Sequence, residues 1–71
     1  MNATKLKNKI LEKGLNIAKT AELIGMNKSS LYRKLNGFEK FTVAEAVKLK
    51  NVLDLNNFEA LEIFLPEKED I

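Results

Sequence analysis

Asn16-Ile17-Ala18-Lys19-Thr20-Ala21-Glu22-Leu23-Ile24-Gly25-Met26-Asn27-Lys28-Ser29-Ser30-Leu31-Tyr32-Arg33-Lys34-Leu35-Asn36-Gly37 is the stretch that decides the architecture. Its local chemistry is that of two short helices meeting across a three-residue turn. Asn16 and Asn27 stand where a side-chain oxygen can accept from the free amides of a first helical turn. Gly25 stands where a left-handed residue closes a helix, and Gly37 closes the second one. Such a tight crossing needs a small residue where the backbones approach, and Ala21 is placed for it. Ile24, Met26 and Leu31 are expected to plug the angle, with Leu31 and Leu35 on the inner face of the second helix. This is a helix-turn-helix layout, whose second helix can enter the major groove of duplex DNA.

Outward from this stretch the same punctuation gives three more helices. The first is expected from about Ala3 to Lys13, capped by Asn2 or Thr4 and stopped by Gly14, with Leu6 and Ile10 on one face and Leu11 beside them. Thr42-Val43-Ala44-Glu45 reads as a capping box opening a fourth helix, with Ala46, Leu49 and Leu53 inward. Asn56 and Glu59 form a weaker version of the same box before a fifth helix carrying Phe58, Leu61 and Phe64 at helical spacing. No stretch alternates apolar and polar residues long enough for a sheet. The expected fold is all-α: a compact five-helix helix-turn-helix domain over 1–66, followed by a charged, frayed tail over 67–71.

The chain has 71 residues with no cysteine and no histidine. A domain of this size buries only about 60% of its unfolded surface, so its stability should be modest. Disulfides, Cys–His and Ser–His–Asp catalysis and the usual zinc sites are excluded by the missing residue types. Neither an enzyme nor a metal, cofactor or small-molecule substrate is therefore expected. No apolar run is long enough to span a membrane and the amino terminus does not read as a signal peptide, so a cytoplasmic location is expected. The net charge of +2 hides an asymmetry: residues 1–50 hold eleven basic and four acidic side chains, whereas residues 51–71 hold one and six. A basic front and an acidic rear suit a protein presenting one face to a polyanion; ordinary solvated helix faces give the same count.

The spacing of Ala21, Ile24, Gly25, Leu31 and Asn36-Gly37 resembles the helix-turn-helix of the Cro/cI-type (XRE-like) phage repressors, a group of five-helix domains. Phe41-Thr42 and Ile63-Phe64-Leu65 are similar to the corresponding parts of small regulators from phages of Gram-positive bacteria. Two positions depart from the pattern. Thr20 stands where the family usually has leucine, with Leu23 expected to take over some of that packing, and Lys34 stands at a usually apolar position.

The resemblance implies a role for particular side chains. Lys28, Ser29 and Arg33 fall on positions that commonly contact bases, and Arg33 can donate bidentately to guanine O6 and N7. Tyr32 either reaches DNA or packs at the core edge. Ser29 and Ser30 read equally as helix-start residues bonding locally to the backbone. Asn16 and Lys19, with Asn36 and Lys40, are the expected phosphate contacts. Lys34 is expected to be solvated or a distant phosphate partner, and Lys5, Lys7 and Lys9 are left without a role.

Helix five carries more apolar residues than one narrow stripe holds. Most should close the core, and Phe58, Phe64 and Leu65 are the candidates for contact with a second copy or a partner. In the resembled family this region commonly supports dimerisation, which would space two recognition helices about 34 Å apart on a palindromic operator. The expected function is a sequence-specific transcriptional regulator, a Cro-like repressor in a lysis–lysogeny switch, in a bacterial host cell. Its partners would be double-stranded operator DNA and a homodimer mate or repressor protein. The alternative is an antirepressor or corepressor that grips a partner repressor, since fold does not fix function. An antitoxin-type regulator shares the same DNA chemistry.

Overall fold

The computed structural model describes residues 1–65; Pro66 and the acidic end expected to form a tail lie outside the described residues. The described chain is all-α, with five helices: α1 Ala3–Glu12, α2 Ile17–Ile24, α3 Lys28–Leu35, α4 Val43–Val52 and α5 Asn57–Phe64. None is long and apolar enough to cross a membrane.

Each helix begins on a side-chain oxygen. Asn2, rather than Thr4, caps α1 by accepting from the Lys5 amide at 3.1 Å. Asn16 accepts from the Lys19 amide at 2.8 Å, and Asn27 from the Ser29 amide at 2.8 Å. Both capping boxes are complete: Thr42 and Glu45 exchange bonds of 2.9 and 3.1 Å, and Asn56 and Glu59 of 3.0 and 2.8 Å. Each cap satisfies amides that the helix cannot, and replacing one by alanine typically costs about 1 kcal/mol.

The helix ends are as local as the starts. Gly25 has φ of 72°, which lets the Met26 amide reach back to the Ala21 carbonyl at 2.8 Å and turns the chain sharply into α3. After α4 the same manoeuvre is made without glycine. Asp54 has φ of 54°, and the Leu55 amide bonds the Lys50 carbonyl at 2.9 Å. That bend carries Leu55 into the core, where it is buried.

Leu6, Ile10, Ala21, Ile24, Leu31, Leu35, Leu49, Leu53, Leu55 and Ile63 form one core, with Met26, Phe41 and Phe64 packed partly against it. Leu11 is not part of it: one position beyond the inward face of α1, it stands 69% exposed.

Helix α5 presents a different face from the one its spacing suggested. Ile63 is fully buried, whereas Phe58, Leu61 and Leu65 are exposed and Phe64 is half-buried. Ile63 lies about 200° around the helix from Leu61, so one rotation cannot bury both. Two ion pairs accompany this rotation. Lys5 Nζ meets Glu62 at 2.6 Å and Lys9 Nζ meets Glu59 at 2.7 Å, which fixes the Glu59–Glu62–Ile63 side against α1. The Asn2 amide adds a bond of 2.8 Å to the Ile63 carbonyl.

Leu23 departs from expectation. Thr20 itself fills the inward position and is fully buried, while Leu23 is about half exposed and outside the core. Thr20 shares the inward side of α2 with Ala21 and Ile24, whereas Leu23 sits about 100° away from Ile24.

Candidate nucleic-acid interface

Helix α3 is held from behind and bare in front. Leu31 and Leu35 are buried against the core, and Ser30 and Lys34 are half-buried at its flanks. Lys28, Ser29, Tyr32, Arg33 and Asn36 are all exposed. Their spacing places them on one continuous stripe. An α-helix with its side chains is about 10–12 Å across, a width that a major groove about 12 Å wide admits. Tyr32, 56% exposed, belongs to this stripe and not to the core edge.

Arg33 is the most elaborated residue of the stripe. Its Nε donates to Glu39 Oε2 at 3.4 Å, and its Nη2 donates to Ser30 Oγ, also at 3.4 Å. The chain returns to it because the Phe38 amide bonds the Arg33 carbonyl at 2.9 Å, beyond the left-handed Gly37. Ser30 is therefore tied to a side chain on its own helix. Ser29 supplies its amide to the Asn27 cap.

The expected phosphate residues fall in two groups, one at the start of α2 and one after α3. Asn16 caps α2, and Lys19 is exposed beside it, its ammonium 3.6 Å from Glu22. Asn36 donates from its side chain to the Tyr32 carbonyl at 2.8 Å, so it finishes α3. Lys40 is exposed in the loop that follows, next to Asn36 and Phe41 along one groove.

Lys34 is not a solvated or phosphate-seeking cation. Its ammonium lies 3.0 Å from Glu45 and donates to the Lys40 carbonyl at 3.2 Å, with its side chain only 13% exposed. The end of α3 meets the start of α4, and Glu45 serves both the cap and the ion pair. Its carboxyl is held below the usual carboxylate range, first by the Thr42 amide and then by Lys34.

Two residues not singled out from sequence border the stripe. Lys5 and Lys9 are engaged with α5, but Lys7 has no ion pair among the described residues. It lies along the groove containing Asn16 and Lys28, and also along the groove containing Asn36 and Lys40. The alternation of lysines at 5, 7 and 9 was the available signal: consecutive odd positions on a helix cannot all face α5. Phe38, 75% exposed, stands in the loop immediately after the stripe.

Of the candidate partner contacts, Phe58 and Leu65 are exposed and share a face with Leu61. Phe64 is instead committed to the fold, its ring edge-on to Phe41 with centroids 5.8 Å apart.

No family model, curated protein or solved structure matches this chain.

Proposed function

We propose that this chain is a sequence-specific DNA-binding regulator that inserts α3 into the major groove, in the manner of a Cro-like phage repressor acting on an operator. The observation that carries the reading is the composition of α3. Its two leucines are buried, its exposed stripe is Lys28, Ser29, Tyr32, Arg33 and Asn36, and it follows α2 through a three-residue turn. Arg33 and Lys28 would read base edges with Ser29 beside them. Tyr32 would contact a sugar, a phosphate or a thymine methyl. Asn16, Lys19, Asn36 and Lys40 would hold phosphates and set the register.

A second copy would complete the site by reading the other half of a palindrome, and the exposed Phe58, Leu61 and Leu65 face favours association. The same face supports a second reading, in which the protein is an antirepressor or corepressor that grips a partner repressor.

The test is selection of duplexes from a random-sequence pool, followed by salt titration of the selected duplex against a random one. The DNA-reading proposal expects enrichment of a guanine-containing motif and an affinity that falls steeply with log salt, because counterions are released. Arg33→Ala should abolish the preference while leaving helical content unchanged. No enrichment at low salt would transfer the case to the partner-binding reading.

A further inference from the structure

A carboxylate beside the central base-reading arginine is out of place on a face meant for a polyanion. Glu39 is that carboxylate. Its Oε2 lies 3.4 Å from Arg33 Nε, both side chains are close to half exposed, and the loop placing it is pinned by the Phe38–Arg33 backbone bond. As a stability device the pair is weak, since an exposed ion pair of this kind contributes at most about 1 kcal/mol. Its position is more informative than its strength.

Nε and Nη2 form one edge of the guanidinium fork. Glu39 takes Nε and Ser30 Oγ takes one of the two hydrogens on Nη2, each at 3.4 Å. Nη1 and the other Nη2 hydrogen have no partner among the described residues, and an Nη1–Nη2 pair can donate to guanine O6 and N7. A phosphate approaching the same arginine meets a carboxylate of its own sign, whereas the guanine edge is neutral. Repulsion therefore weighs on the phosphate mode and spares the base-directed one.

Resting on the DNA-reading proposal above, we propose that Glu39 is a specificity-determining positioning residue: it holds Arg33 by one edge, aims the free end at a base, and disfavours its capture by the backbone. The ligand feature selected is a guanine edge in the major groove. Glu39 acts through Arg33 and is not itself a base contact.

The experiment compares the intact chain with Glu39→Gln, Arg33→Ala and the double variant. The probes are a duplex enriched by the wild-type chain from a random pool and a random-sequence duplex of equal length. Glu39→Gln should tighten binding to the random duplex by about threefold, the effect of removing one like charge some 6 Å from a phosphate in water. Its random-duplex salt slope should steepen by up to about 0.9, the value of one newly neutralised phosphate. The selected duplex should gain less or lose, so the preference ratio falls. In the Arg33→Ala background the Glu39→Gln effect on the ratio should vanish. Equal tightening on both duplexes would overturn the inference, because it reports only a change of net charge. An unchanged ratio, or a ratio change that persists without Arg33, would overturn it as well. If the wild-type chain enriches no duplex at all, the DNA-reading proposal fails first and this inference falls with it, a result distinct from any Glu39 outcome.

Discussion

Replacing Thr20 by valine should stabilise the protein. Thr20 is fully buried in α2, and its Oγ1 has no hydrogen-bond partner among the described residues. Its backbone amide is satisfied by the Asn16 carbonyl at 2.9 Å, so the orphan is the hydroxyl alone. Burying a hydroxyl without a partner costs about 1–3 kcal/mol by mutational measures. Valine keeps the β-branched shape and has a similar helix propensity, so it removes the orphan without opening a cavity. The expected gain is about 1–2 kcal/mol, or roughly 4–15 °C in Tm for a domain of this size. Thermal and urea unfolding followed by circular dichroism would measure it, with the urea slope unchanged. Thr20→Ser is the control: it keeps the hydroxyl and deletes a buried methyl, so it should lose stability. A neutral or destabilised Thr20→Val would refute the reasoning and show that the hydroxyl is satisfied, most simply by a carbonyl one turn earlier in α2.

Three further outcomes are expected. Lys34→Met should cost about 1–2 kcal/mol, between the values for exposed and buried pairs, because Glu45 keeps its cap but loses its cation; urea denaturation of the variant checks it. Lys7→Ala should leave Tm unchanged but lower the magnitude of the salt slope for duplex binding by about 0.9, the signature of one lost phosphate contact; an unchanged slope removes Lys7 from the interface. Stability should be flat near neutrality, as the chain has no histidine, and should fall at both extremes. Glu59 is held below the usual carboxylate range first by Lys9 and then by the Asn56 amide, and Glu45 is lowered as well. Their contribution is full above the ordinary carboxylate value, about 4.3, and is lost as pH falls through their lowered values. Lys9 is raised chiefly by Glu59, so its contribution is full below about 10.4 and is lost as pH rises through the raised value. Urea midpoints across pH would report both edges, and a decline beginning near pH 6 would contradict the assignment.

The helix boundaries were legible in the sequence because caps and left-handed stops are local chemistry. Asn16, Asn27, Thr42 and Asn56 act within three residues of themselves, and Gly25 needs only its own φ. Helix rotation was not legible, because it is settled by neighbours remote in sequence. Ile63 rather than Leu61 is buried, on the side of α5 whose Glu62 and Glu59 pair with Lys5 and Lys9, fifty or more residues earlier. Thr20 departs visibly from the resembled pattern, but nothing local tells that its hydroxyl goes inside. The role of Lys34 is hidden for a similar reason: its partner Glu45 belongs to the next helix, and a cap gives no sign that its carboxylate also holds a cation. On α3 the outward stripe followed from the burial of Leu31 and Leu35. The bond between Arg33 and Glu39 spans a turn with no periodic signature, so it emerged only from the fold.

The direct test of a DNA-reading α3 is a map of backbone amide shifts by nuclear magnetic resonance as a selected duplex is added at low salt. The largest changes should fall on Lys28, Ser29, Tyr32 and Arg33, with a second group at Asn16 to Lys19, while the Phe58–Leu65 face stays still or reports only self-association. Saturating duplex that leaves α3 unmoved, or that shifts α5 alone, would contradict insertion of this helix into the groove.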